Sequence, residues 1–224
     1  MKGAGNRSDP FPRMAIYRMS SIEGYCKVGN QLGKTNQAKG NDAIGNLSLY
    51  ENTTGSYNTA LGYQSLYKNI SGSSNNSIGY NSLYSLTGGS NNIAIGNYSL
   101  SALTSGNYNV GIGDSTMPNN TTGSQNISIG YQTLYNNISG NSNVAVGAYS
   151  LYLNKYQDYN TAIGYETLKN YSGSGSSTGS IAIGYQALKN WTMNGDYGNI
   201  AVGSSALSSV TGDSYSNTVF GTTA

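Results

Sequence analysis

Polar, small and large apolar positions recur along this chain in a fixed order. From Asn41 onward the unit reads Asn-x-small-large-Gly, with a Leu four residues beyond the glycine. The glycines fall at Gly45, Gly62, Gly79, Gly96, Gly113, Gly130, Gly147 and Gly164, each step being 17 residues. Gly184, Gly203 and Gly221 follow after steps of 20, 19 and 18. The residue before the glycine is always large and apolar, from Ile44 and Leu61 through Ile129 and Val146 to Phe220. The position two before it is nearly always small, as in Ala43, Ala60, Ser77, Ala94 and Ala145. Four residues before it stands Asn, replaced once by Ser180. A fixed period of this size marks a repeat architecture, in which each unit buries its apolar face only by stacking on its neighbours.

Within a unit the apolar period is two. In Asn143-Val144-Ala145-Val146-Gly147 the two valines share one face and Ala145 takes the other, as a pleated strand requires. The abundance of Gly, Asn and Ser disfavours helix. Each unit therefore reads as strand, bend at Gly, a second short strand (Tyr149–Tyr152 in that unit), and a turn at an Asn/Thr/Gly cluster. The fold class predicted is all-β, a repetitive β-solenoid or β-roll of about eleven coils of 17–20 residues with stacked parallel strands. Coils spaced by ~4.8 Å make a stack roughly 50 Å tall. The large residues before the glycines, Ile129 among them, and the Leu column, Leu134 among them, are expected to point inward. The small-residue face and the tyrosines are left to meet other chains. Stacked Asn residues can bond coil to coil in a ladder, or serve their local turns. So thin a core points to an oligomer, either a trimer or a filament.

Composition sharpens this reading. The 224 residues include 31 Gly and 21 Tyr, charged residues are 9%, and there is no His. The lone Cys26 has no partner for an internal disulfide. No apolar run is long enough for a membrane-spanning helix, and no signal-peptide core follows Met1-Lys2. Residues 1–40 carry net +5 and the remainder net −3, which divides the chain into a basic cap or attachment arm (1–40) and a repeat domain (41–224). The arm has no dense Lys/Arg run, so nucleic acid is not favoured as a partner.

Units such as Asn58-Thr59-Ala60-Leu61-Gly62-Tyr63-Gln64-Ser65-Leu66 and Asn160-Thr161-Ala162-Ile163-Gly164-Tyr165-Glu166-Thr167-Leu168 resemble the head repeats of trimeric autotransporter adhesins. They are similar also to repeats of phage and large-virus tail fibres. The resemblance covers residues 41–224 and implies a left-handed parallel β-roll, usually trimeric, used for attachment. It implies a location outside the cell, on a virion or cell surface. The unit here is longer than the adhesins' own, and neither a coiled-coil stalk nor a membrane anchor is seen.

Candidate residues follow from the columns. Tyr63, Tyr80, Tyr131, Tyr165 and Tyr185 share one column, and Tyr50, Tyr67, Tyr84, Tyr135 and Tyr152 another. Such ladders stabilise a sheet, and an aromatic surface also suits a glycan or another host-surface receptor. Asn-x-Ser/Thr sequences at Asn52, Asn69, Asn120 and Asn137 share a turn column, which is expected to make them accessible to glycosylation, although so Asn/Ser/Thr-rich a composition produces such sequences by itself and modification is not favoured. The final unit, Asn217–Gly221, reaches Ala224 without a second strand segment, and the arm before residue 41 does not fit the repeat. Met14, Ile16 and Met19 of one subunit are expected to complete the coil at Val219 and Phe220 of the next, giving a head-to-tail filament. No column pairs carboxylates at a glycosidase-like separation, and none repeats the Asp of calcium-binding nonapeptides. No catalytic, cofactor or metal-binding residue is assigned, and an enzyme is not expected.

Overall fold

The computed structural model describes residues 26–28 (backbone), 38–171, 179–191, 198–209 and 216–222. Among the described residues twelve three-residue strands form one parallel sheet in strict chain order. They are β1 (Cys26–Val28), β2 (Asp42–Ile44), β3 (Thr59–Leu61), β4 (Asn76–Ile78), β5 (Ile93–Ile95), β6 (Val110–Ile112), β7 (Ile127–Ile129), β8 (Val144–Val146), β9 (Thr161–Ile163), β10 (Ile181–Ile183), β11 (Ile200–Val202) and β12 (Thr218–Phe220). The register is the sequence repeat itself: Ala60 pairs with Ser77, Ser77 with Ala94, and Ala145 with Ala162. The all-β solenoid is thus as expected. Its sheet begins earlier than the repeat boundary at residue 41, because Val28 pairs with Ile44. The sequence also reads Arg13–Arg18 (Arg-Met-Ala-Ile-Tyr-Arg) as a strand, and these lie outside the described residues.

Two expectations are corrected. The first is the second strand of each coil. Beyond the glycine the backbone alternates in the sign of φ: Gly62 (136°), Gln64 (53°) and Leu66 (52°) all have positive values. The chain therefore winds through successive turns where an extended strand was expected. Its amides still bond between coils. Gln64 N donates to Asn46 O (2.9 Å), Leu66 N to Ser82 O (3.0 Å) and Lys68 N to Tyr84 O (3.1 Å). The backbone polar groups are satisfied by the stack without a second sheet.

The second correction concerns which face points inward. The small column is the core face: Ala43, Ala60, Ser77, Ala94, Ser128, Ala145, Ala162, Ala182 and Ala201 are buried. The Leu column from Leu49 to Leu188 is buried opposite it, Met117 taking one place, and Leu134 is inside as expected. Ile129, expected inside, is 37% exposed. The reason is steric. A Cβ added to Gly111, in the small column, would lie 2.7 Å from Ser99 Oγ, 2.9 Å from Thr116 Oγ1 and 3.4 Å from Leu100 Cδ1. The strand lies so close to the opposite wall that Gly, Ala or Ser fills this column from β2 to β11, with Val219 the larger exception in the last strand, and the pleat then turns the Ile side chains of the strands outward.

Polar residues fill the corners of the coil. Asn58, Asn75, Asn92, Asn109, Asn126, Asn143 and Asn160 are fully buried. From Asn75 to Asn160 each Nδ2 donates to Oδ1 of the preceding coil's Asn, as Asn75 does to Asn58 (3.1 Å) and Asn143 to Asn126 (3.1 Å). That same Oδ1 accepts the backbone N–H of the next Asn, as in Asn92 N to Asn75 Oδ1 (2.9 Å). From Asn41 to Asn143 each Nδ2 also donates across its coil to a turn carbonyl 14 residues on, as Asn109 does to Gly123 O (2.9 Å). This column therefore forms the ladder and also ties the start of each coil to the turn that closes it.

Candidate functional site

The outward residues of the sheet make a continuous apolar strip. Ile44, Leu61, Ile78, Ile95, Ile112, Ile129, Ile163 and Ile183 end their strands and are each between 36% and 45% exposed. The residue two before each of these faces the same way. It is apolar in β5 to β8 (Ile93, Val110, Ile127, Val144) and again in β10 and β11 (Ile181, Ile200). Among the described residues Asp42 is the only charge that a strand carries on this face.

Tyrosines rim both edges of the strip. On one edge stand Tyr57, Tyr108 and Tyr159, the most exposed of the described tyrosines at 61–67%, each three coils from the next. On the other edge stand Tyr63, Tyr80, Tyr131, Tyr165 and Tyr185, all exposed. Tyr63 stacks on Tyr80 (centroids 5.3 Å apart, planes at 9°), and Tyr165 stacks on Tyr185 (5.7 Å, 11°). The column is not one uninterrupted ladder. Ala148 occupies it between Tyr131 and Tyr165, and Tyr149, one residue along, fills the gap edge-on to both (5.5 and 6.1 Å). Asn97 interrupts it after Tyr80, and Tyr98 packs edge-on against Tyr80 (5.3 Å). Tyr98 and Tyr149 were not singled out from the sequence. The legible signal was a Tyr displaced by one position at Asn97 and Ala148, two of the places where the column itself lacks one. Partial burial and the neighbouring Tyr80 raise the pKa of the Tyr98 phenol.

The second tyrosine column stands beside this rim, where Tyr152 meets Tyr149 edge-on (5.9 Å). Tyr50, Tyr67 and Tyr84 form a stack of three, with centroids 5.4 and 5.2 Å apart and planes within 5°. Tyr135 and Tyr152 pair likewise at 5.2 Å.

An ionic cluster centred on Glu166 joins two neighbouring coils. Glu166 is buried, and it accepts from Lys169 Nζ (2.6 Å), Lys189 Nζ (2.7 Å) and Gln186 Nε2 (2.8 Å). The hydrogen bond from Lys169, then that from Lys189, holds its carboxyl down to about 2 against the opposing effect of burial. Lys169 also lies 4.9 Å over the Tyr149 ring, and its own pKa is raised, chiefly by the Glu166 bond. The cluster ties Gln186 and Lys189 to the coil of Glu166 across the 20-residue step from Gly164 to Gly184.

The turn-column sequons are not where accessibility requires them. Asn52, Asn69, Asn120 and Asn137 are all buried. Their amides are engaged: Asn69 Nδ2 donates to Asn52 Oδ1 (2.7 Å) and Gly72 O (2.9 Å), and Asn137 Nδ2 to Asn120 Oδ1 (3.2 Å). The folded coil presents none of the four as a glycan acceptor, because they build a second Asn ladder inside it. Of the assembly residues, Val219 packs against the core and Phe220 is 73% exposed. Met14, Ile16 and Met19 lie outside the described residues. Among the described residues no group of three or more His, Cys, Asp and Glu could hold a metal ion, and no helix is long and apolar enough to cross a membrane. No protein-family model matches the chain, and neither the curated proteins nor the solved structures compared with it give a match.

Proposed function

We propose that this protein is a structural fibre or filament subunit that assembles with copies of itself, its apolar sheet face forming the principal contact. The observation that carries the reading is the strip from Ile44 to Ile183 with its tyrosine rims. At ~4.8 Å per coil this strip, continued through Val202 to Phe220, runs about 50 Å, and at roughly 15 Å across it offers on the order of 750 Å². That matches the ~800 Å² each partner contributes to a standard stable interface. Exposed apolar surface of this extent is rare on a monomer. An apolar centre edged by aromatic side chains is the composition of an interface core. A second copy suits this face because its repeat presents the same ridges at the same spacing. A place on a virion or cell surface accords with the sequence resemblance and is part of the proposal.

A second reading, an adhesin head that binds a glycan or another receptor, is favoured by the exposed stacked rings of Tyr63–Tyr80 and Tyr165–Tyr185. Electron microscopy and mass measurement of the purified protein, with a glycan-array screen of the assembled particle, separate the two. Regular oligomers or filaments without glycan preference support the scaffold. Specific glycan binding lost in a Tyr63→Ala/Tyr165→Ala variant supports the adhesin. A monodisperse monomer that binds no glycan refutes both.

A further inference from the structure

The Tyr50–Tyr67–Tyr84 stack is not needed by the interface proposed above. It lies outside the apolar strip and stays part-exposed along the coil stack. Its geometry is unusually regular, with two successive ring pairs near 5.3 Å and parallel to within 5°. The solenoid fixes this proximity, because each ring rises from the same position of consecutive coils. We propose that this column is an oxidative cross-linking site, at which a one-electron oxidant fed by hydrogen peroxide joins neighbouring coils through dityrosine.

The chemistry balances as follows. Each of two adjacent phenols loses one electron and its hydroxyl proton, giving two phenoxyl radicals. The radicals couple through a new carbon–carbon bond between ring positions ortho to the oxygens. The hydrogen on each bonding carbon then moves to its own oxygen and restores the phenols. Two hydrogen atoms leave in all, and one hydrogen peroxide takes them up and becomes two waters. Radical lifetimes favour a partner already in contact. Tyr67 has one on each side, whereas Tyr57, Tyr108 and Tyr159 stand three coils, or ~14 Å, apart. The product would staple coils covalently in a chain whose single Cys26 rules out internal disulfides.

The test treats the full-length protein, at dilution, with a haem peroxidase and hydrogen peroxide, and maps the cross-linked peptides by mass spectrometry. Cleavage after Lys68 separates Tyr67 from Tyr84, so a Tyr67–Tyr84 bond joins two tryptic peptides. Intrachain links at Tyr50–Tyr67 and Tyr67–Tyr84 are expected. Tyr67→Phe keeps the ring and the stack but removes the oxidisable phenol. It should lower links at Tyr50 and Tyr84 at least about tenfold, since those two are two coils apart. Tyr108→Phe should leave them unchanged. The proposal is overturned if Tyr50, Tyr67 and Tyr84 remain unlinked while Tyr57, Tyr108 or Tyr159 carry the dityrosine. It is overturned equally if links at Tyr50 and Tyr84 persist in Tyr67→Phe. Circular dichroism of that variant confirms that the coil is retained.

Discussion

At the scale of single residues, backbone handedness decides what the repeat tolerates. Gly79 sits at φ 135°, and a Cβ there would lie 2.4 Å from Gly96 O of the next coil. Gly79→Ala therefore combines strain of about 1–3 kcal/mol with a collision against rigid backbone, and thermal melting should show a large loss. Gly88→Ala is the control. Its Cβ would meet only Ser71 Oγ at 3.4 Å with no left-handed backbone, so its melting temperature should hold or rise slightly. The Leu column obeys the same rule: Leu134 has φ 48° and Leu100 φ 53°. No Val, Ile or Thr occupies any left-handed position among the described residues, although Ile abounds one face away. Leu134→Ile should thus cost about 1–2 kcal/mol in denaturant titrations despite equal volume, whereas Leu134→Met should be tolerated, since Met117 already fills that column. The absence of β-branched residues was legible in the sequence and marks these positions as turns. The alternation of large and small residues before the glycine was equally legible. It identified two faces but not which one was inside, because that depends on the distance to the opposite wall, a tertiary quantity.

At the scale of the element, the Asn ladders are what hold coil to coil. Asn109→Ala removes the donor to Asn92 Oδ1 and Gly123 O and the acceptor for Asn126 N and Nδ2. Each buried group left unpaired costs about 1–3 kcal/mol, so this single change should destabilise the stack by several kcal/mol in a denaturant melt. Ser180 is the weak rung, since Asn199 N reaches its Oγ only at 3.3 Å. Ser180→Asn should therefore raise stability by about 1 kcal/mol. The second ladder shows what an interruption costs. Leu86 follows Asn69 and Tyr171 follows Asn154, and Asn69 Oδ1 and Asn154 Oδ1 are left without partners. The period and the first ladder could be read from the sequence. The second ladder reads in the sequence as an exposed turn, because Asn serves both places and only burial separates them. Glu166 makes a pH prediction at this scale. Its folded pKa, about 2, lies below the ordinary 4.5, so its contribution is fully present above pH 4.5 and is lost as pH falls toward 2. The melting-temperature difference between wild type and Glu166→Gln should shrink over that interval. A constant difference would show that the Lys169 and Lys189 contacts add nothing to stability.

At the scale of the whole molecule, the correction of the inward face alters the case for assembly. With the isoleucines outside, each coil buries one Leu or Met against Ala, Ser or Gly, aided at one corner by Leu86, Leu103, Tyr171 or Trp191. The apolar surface that would complete a stable particle is displayed along one side, and burying it against another copy is the expected outcome of the hydrophobic effect. The most direct test is sedimentation of the full-length protein beside a variant carrying Ile95→Asp, Ile112→Asp and Ile129→Asp. These three side chains stand in consecutive strands at the middle of the strip and point to solvent in the single chain. The account predicts an oligomeric wild type and a variant that sediments as a monomer with an unchanged circular dichroism spectrum. A variant that stays assembled like wild type, or a wild type that is itself monomeric, would contradict the account.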